Sequence, residues 1–423
     1  MHENSFPLKS INNRDDLFYP DLELNISKVL PTALSVLGKN FPKTRLLNEY
    51  LNSKKGWDSI QKSEISNVVF IVLDALGFEH FMRYSKIMKL KFKTNGIALC
   101  SVFPTITSTC MITINLGQMP VNHGIVGQKI RFNEIDNIVD TLTMRTKQMN
   151  QGDIHSFGIN VQRWLWSEFI SLDHDKFEDL QLIEKDIANK GLSHLTRENQ
   201  NAIGYYSHID CFAAAKRILE HPREKKLFLN IYIGSIDSIS HRYTTESQEL
   251  EDEIENIERL LFTMFERINP KIAAETAVFI TADHGQENLT EEQKIIITEE
   301  DEDYLSTILT TRGRSGRVIH LFAKEGKKEE VVSWFQKKIG KKGIIITSED
   351  YPKFFGKGAN SEKVIQRIGD VQVILGKNAS IFFGHSGNYD QEYNLALNAT
   401  HGSLSRNELV VPLLFGTIED LLK

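Results

Sequence analysis

Three aspartates in this sequence each stand just beyond a run of apolar residues: Asp74 after NVVFIVL, Asp237 after LFLNIYIGSI and Asp283 after AVFITA. Two of them come with histidines. His241 follows Asp237 by four residues, and His284 follows Asp283 directly. Carboxylate oxygens with imidazole nitrogens suit Zn²⁺ or Mn²⁺, whereas an all-oxygen shell suits Mg²⁺ or Ca²⁺. A single Asp–His pair is more often a surface hydrogen bond than a ligand set. Three acids at strand ends in one chain shift that balance toward a pair of divalent metals.

Between the first and second acid lies SVFPTITSTCMITINLGQMPVNHGIVG, a proline followed by a hydroxyl-rich turn and then a helix. The amides at a helix N-terminus bind anions, and a hydroxyl there, deprotonated beside a cation, can attack phosphorus. A run of Ser and Thr before a helix is more often simply its cap. Spacing alone leaves Thr105, Thr107, Ser108 and Thr109 open.

The elements that must position these residues are readable in outline. Short, continuous, β-branched-rich runs predict strands buried on both faces of a parallel sheet: Val68–Leu73, Leu227–Ile233 and Val278–Thr281. Such sheets place their sites in the crevice beyond the carboxyl ends of the strands. A further strand is expected over Ala98–Phe103, and helices over Val29–Leu37, Arg45–Leu51, Met111–Leu116 and Cys211–Glu220. Ser247 reads as the N-cap of a long amphipathic helix to Ile268. If the chain turns helical after its strand, Asp237 and His241 share one face. Asp283 and His284 require a non-regular strand end, which Gly285 would permit. The stretch 128–210 carries little pattern; its Trp164 and Trp166 read as core or pocket wall. The acidic GluGluAspGluAsp at 299–303 reads as a solvated loop. Residues 313–375 read as a small inserted α/β subdomain, with 1–312 and 376–423 forming the core domain.

The chain has 423 residues, 41% of them apolar and 25% charged, and a net charge of -6. That is an ordinary globular composition, and the acidic balance argues against a general nucleic-acid or membrane-surface binder. No stretch approaches the roughly 20 apolar residues that span a bilayer. The polar N-terminus has no apolar signal core, and Cys100, Cys110 and Cys211 lack CxxC spacing, so a reducing cytoplasm is expected.

The ordered set VLDALG, FPTITS, GQMPVNHGIVG, GSIDSISH, TADHG and ATHGSLSRNELVVPLL resembles the alkaline phosphatase superfamily, and within it the type I phosphodiesterase/nucleotide pyrophosphatase branch. The resemblance runs from about Val68 to Leu414. It implies an alkaline-phosphatase-like α/β/α sandwich around a mostly parallel sheet. It also implies two divalent ions, Zn²⁺ first and Mn²⁺ second. Asp74, Asp283 and His284 would hold one with the nucleophile, which falls on Thr107; Asp237, His241 and His401 would hold the other. Catalysis would pass through a phospho-threonine. Three aspartates and two such ions sum to about +1, a site that attracts phosphate without trapping it.

Two departures stand out. Where nucleotide pyrophosphatases place an Asn on a non-bridging phosphate oxygen, this chain has Gln128, with the same NH₂ donor on a longer arm. The segment after the nucleophile also lacks their ProAsnHis. His385 competes with His401 as a ligand, and His123 reads as structural. The expected substrate is a small phosphodiester or nucleotide, with oligomeric state open. The rivals are a phosphomonoesterase, weakened because no Arg lies near Thr107 in sequence, and a non-catalytic metal-binding module of a larger assembly.

Overall fold

A computed structural model describes residues 6–41, 47–196, 201–384 and 397–423. Its main sheet has seven strands: β1 (Asn67–Leu73), β2 (Gly96–Cys100), β3 (Phe177–Glu184), β4 (Asn201–Tyr205), β5 (Lys226–Ile233), β6 (Thr276–Thr281) and β7 (Val410–Thr417). Their order is β2-β7-β6-β1-β5-β3-β4, and only β7 runs against the rest. Every residue of β1 is buried, as its unbroken apolar run requires. Helices cover the sheet in two groups, one including Lys55–Lys62, Met88–Asn95 and Gln248–Glu266, the other Val29–Ser35 and Thr107–Leu116.

Register decides where the site forms. Leu73 at the end of β1 pairs with Ile233 at the end of β5, and Val72 pairs with Thr281 at the end of β6. Three adjacent strands therefore finish level, and the acid that follows each arrives at one edge. Thr107–Leu116 (α1) opens four residues earlier than its apolar periodicity suggests. Ser235–Tyr243 (α2) carries Asp237 and His241 one turn apart. Ser247 caps the long helix as expected, its hydroxyl accepting the Leu250 amide at 3.2 Å.

A second, antiparallel sheet runs Gly343–Thr347, Val371–Leu375, Val318–Ala323, Leu309–Ser315, Lys129–Phe132, Asn137–Asp140, Arg145–Thr146. Its last three strands come from far earlier in the chain than 313–375. It shares an apolar cluster around Ile319, Leu321, Phe335 and Val373 with the helix Lys328–Ile339. The acidic stretch is not a loop: Glu299–Ile308 is a helix. Thr298 and Asp301 form a reciprocal capping box, the acids sit at the favourable end of the helix dipole, and Leu305 and Ile308 are buried. Trp164 is core, its ring tilted against Phe132 with centroids 4.8 Å apart. His123 is buried too, with Nε2 3.0 Å from the Thr113 hydroxyl. No helix among the described residues is long and apolar enough to cross a membrane.

The two sheets meet at a fully buried ion pair. Arg317 reaches Glu408 at 2.7 Å, and its other donors go to the carbonyls of Ala379, Leu375 and Gly376. Glu408 in turn accepts the amides of Ser403 and Ser405. The Arg317 amide donates to the His401 carbonyl at 3.0 Å, so the pair fixes the segment that carries that histidine. Removing one partner of such a pair leaves a buried uncompensated charge. Arg317→Ala is expected to lower stability by roughly 3–5 kcal/mol in urea denaturation; a loss below about 1 kcal/mol would put the pair among those that contribute little.

Candidate active site

The level strand ends bring Asp74, Asp283 and His284 together in one group, and Asp237, His241 and His401 in another. Within each group the candidate ligand atoms lie within 4.8 Å of one another. Asp74 follows β1, and Ala75 after it takes a left-handed φ of 62° that non-glycine residues rarely adopt. That turn aims the Ala75 amide at Asp283 Oδ1, 3.1 Å away, which also accepts the His284 amide at 2.9 Å. Gly285 serves packing rather than an unusual φ. A Cβ there would come within 2.0 Å of the Asn407 carbonyl and 2.7 Å of the Gly77 Cα.

All three histidines are held the same way. Nδ1 of His241, His284 and His401 faces the carbonyl of Ala399 at 2.7 Å, Gly285 at 3.0 Å and Thr105 at 2.8 Å respectively. Each Nδ1 is thereby a donor, which turns each Nε2 toward the site, as main-chain carbonyls do around metal-bound imidazoles. Burial favours the neutral form of His284 and His401, whereas for His241 burial is outweighed by Asp237, which favours the protonated ring. His284 Nε2 sits 3.3 Å from Asp283 Oδ2 and 3.6 Å from Asp74 Oδ1. His241 and His401 place Nε2 at 3.3 and 3.4 Å from Asp237 Oδ1.

This donor set fits divalent cations. Asp74 Oδ1 and Asp283 Oδ2 are buried and have no hydrogen-bond partner. Lone pairs of nitrogen and oxygen facing each other need a positive charge between them. The titration behaviour has the same origin. Burial, then Asp283 and Asp237, drives the Asp74 carboxyl well above the carboxylate range. Burial lifts Asp283 to about 6 and presses His284 and His401 down to about 4 and about 3. For Asp237 burial works upward, but His241 outweighs it and holds the acid below its usual value.

Of the four open hydroxyls, Thr107 faces the ligand atoms. Its Oγ1 lies 3.1 Å from His284 Nε2, at the first position of α1. Thr105 is taken up structurally, donating to the Ser403 carbonyl and accepting the Gly402 amide. Ser108 accepts a hydrogen bond from the Thr141 hydroxyl, and Thr109 is fully buried. Two cavities meet at Thr107 and Asp237, one of about 1320 Å³ that includes Asp74, the other of about 680 Å³ that includes His241 and His401. Gln128 lines the smaller one; its amide donates to Ser315 Oγ at 2.9 Å and its side chain bonds Asp140. His385 lies outside the described residues.

Sequence reasoning missed two supporting residues. The Tyr232 hydroxyl, at the end of β5, donates to Asp74 Oδ2. Gln286 donates to both the carboxylate and the carbonyl of Asp237. Gln286 stands three residues after Asp283 and could have been flagged by that proximity; Tyr232 gives no signal beyond an inward strand position.

Residues 68–404 match the sequence profile of the type I phosphodiesterase / nucleotide pyrophosphatase family. The chain belongs to this family. Murine ectonucleotide pyrophosphatase / phosphodiesterase 5 superposes with a TM-score of 0.61 at 15% identity, covering 82% of this chain and 87% of that one. The human protein of that name gives 0.60 at 17%, with the same coverage. Phosphonoacetate hydrolase from Sinorhizobium meliloti 1021, in complex with phosphonoformate, gives 0.57 at 15%, covering 84% and 90%. At these identities the likeness speaks for the fold, which is alkaline-phosphatase-like. No curated protein matches in sequence.

Burial raises the Asp74 and Asp283 carboxyls, so a cation entering this cluster is expected to displace protons. Loading Zn²⁺ is expected to release more protons near about pH 6, where Asp283 is half protonated, than near about pH 8. Calorimetry in buffers of different ionisation enthalpy counts them, and a release that does not fall with pH contradicts the arrangement. Gln286→Ala removes a group that orients Asp237, and should weaken metal affinity about 10–100-fold by competition with a chromogenic chelator.

Proposed function

We propose that this chain hydrolyses phosphoric diesters or nucleotide pyrophosphate bonds, with Thr107 as nucleophile and two divalent ions, Zn²⁺ before Mn²⁺. The observation that carries the reading is the position of Thr107 Oγ1. It lies beside one Asp–His group, at the start of a helix, where the two cavities join. Asp74, Asp283 and His284 would hold one ion, and Asp237, His241 and His401 the other. Bound there, the ions would favour the alkoxide form of a hydroxyl and neutralise charge on the phosphoryl and leaving oxygens.

The chain's own groups account for the rest. Thr107 Oγ1 forms a bond to phosphorus as the leaving oxygen departs on the opposite side, and water later breaks that bond and restores the hydroxyl. The α1 amides face the phosphoryl oxygens, where a helix N-terminus favours negative charge. Gln128 supplies a side-chain donor at the wall of the smaller cavity. Tyr232 and Gln286 hold Asp74 and Asp237 in place, and the three backbone carbonyls hold the imidazoles.

A phosphomonoesterase of the same superfamily is the second reading. It gains from Lys129, Arg242 and Arg314 in the wall of the smaller cavity, cations near Thr107 in space though not in sequence. An inactive variant of the murine ectonucleotide pyrophosphatase / phosphodiesterase 5 is solved in complex with AMP, and the hydrolase in complex with phosphonoformate; both support a small phosphoryl or phosphonyl substrate for either reading. A cytoplasmic setting agrees with three buried, unpaired cysteines.

Hydrolysis of bis-p-nitrophenyl phosphate and p-nitrophenyl phosphate with Zn²⁺, Mn²⁺ or Mg²⁺ tests this. Faster diester cleavage is expected, with Thr107→Ala slower by a factor of at least about 10³. Monoester preference moves the protein to the second reading. Metal binding without turnover of either ester would make it a non-catalytic module.

A further inference from the structure

The larger cavity has a buried base and an exposed mouth of different chemistry. Asp74 and Thr107 at the base are buried, whereas Arg145, His155 and Lys190 in the wall are exposed. Three separate segments are knitted together to form that wall. The Ile154 amide donates to the Met144 carbonyl at 2.8 Å, and the Leu192 amide to the Leu142 carbonyl at 2.9 Å. The Gly191 amide donates to Asp153 Oδ2 at 2.9 Å. Gly191 is required there, with φ of 51° and a hypothetical Cβ 2.5 Å from the Leu142 carbonyl. The rings of His155 and His194 then stack at 3.9 Å.

The charges of this wall are not balanced within it. The Arg145 and Lys190 side chains have no ion pair or hydrogen bond among the described residues. Two acids line the wall. Asp153 accepts the amides of Gly191 and Ser156 and lies 3.4 Å from His194. Glu184 accepts the Gly234 amide at 2.8 Å, away from Arg145 and Lys190 in its hydrogen bonding. Leu142, Ile183, Ile187 and Leu192 also line the cavity, Leu142 and Ile187 from exposed positions. One cavity thus joins the candidate metal-ligand cluster to a patch holding two fixed positive charges and two imidazoles.

We propose that the substrate carries a second anionic group, a phosphate or carboxylate, which Arg145 and Lys190 bind at the mouth while the reacting phosphoryl sits at the base. This rests on the metal-centred phosphoryl site proposed above. The substrate body between the two anions has apolar surface to pack on Leu142, Ile183, Ile187 and Leu192. Charged hydrogen bonds to a guanidinium and an ammonium at the exposed mouth select for such a molecule over one with a neutral end.

The test uses the zinc-loaded Thr107→Ala protein and calorimetric binding of alkyl monophosphates beside the α,ω-alkanediol bisphosphates of butane, hexane and octane. At one chain length at least, the bisphosphate should bind about tenfold tighter or more than the monophosphate, well above the twofold that two equivalent ends give. Adding Arg145→Ala and Lys190→Ala should erase the gain and leave monophosphate affinity unchanged. A terminal carboxylate in place of the second phosphate separates the sources: a retained gain marks a general anion site, a lost one a phosphate site. Equal binding at every length, or a gain that survives the double substitution, overturns the proposal. Failure of every phosphate to bind would instead bring down the phosphoryl centre, and this proposal with it.

Discussion

Three carboxylates and three imidazoles are packed together where three adjacent strands end level; Asp74, Asp283, His284 and His401 are buried, and Asp237 and His241 are half-buried. Burying ionisable groups this way is costly unless charge is compensated. The structure shows the imbalance directly in the two carboxylate oxygens without partners and in the raised affinity of Asp74 and Asp283 for protons. A fold that carries this cluster must either hold protons in it or bind cations. The arrangement of the nitrogens favours cations, because a carbonyl on each Nδ1 turns each Nε2 into the cluster.

The surrounding structure is organised to keep that geometry. Each imidazole is oriented by a main-chain carbonyl rather than a mobile side chain. Two of those carbonyls, of Gly285 and Thr105, belong to turns packed against the strands that deliver the acids. His401 comes from the far end of the chain, and its position depends on contacts from both sheets. Thr105 grips the segment from the Thr107 side, while Arg317 and Glu408 grip it from the second sheet. A glycine at 316 is needed for the same reason, since a Cβ there would come 2.0 Å from the His401 carbonyl. The second sheet thus helps to hold the candidate ligand cluster in place.

What the sequence disclosed follows from how strongly a pattern is forced. Asp74, Asp237 and Asp283 were visible because a strand buried on both faces must be apolar throughout, so the first acid after it stands out. The Asp237–His241 spacing was visible because a helix repeats in under four residues. The hydroxyls were not separable, since Thr105, Thr107, Ser108 and Thr109 share one chemistry and only three-dimensional contacts distinguish them. The helix at 299–308 was hidden by reading its charges as solvation, although Thr298 and Asp301 already had capping spacing. Tyr232 left no trace, because a tyrosine in a buried strand is unremarkable until its hydroxyl is seen on Asp74.

The cavity walls differ from the base in the same terms. At the base, function is imposed by buried charge, which admits few residue types and therefore leaves a motif. The walls at 142–145, 153–155 and 190–194 are joined through backbone amides and carbonyls, which any residue supplies. Such a wall can exchange its side chains without disturbing the loops, apart from the acceptor Asp153 and the close approach at Gly191. On the proposed function, selectivity for the part of the substrate away from phosphorus would reside in side chains the wall does not need for its own backbone contacts, and chemistry in the buried charges of the base. That division explains how a base with recognisable motifs can sit under walls whose sequence carries no readable code.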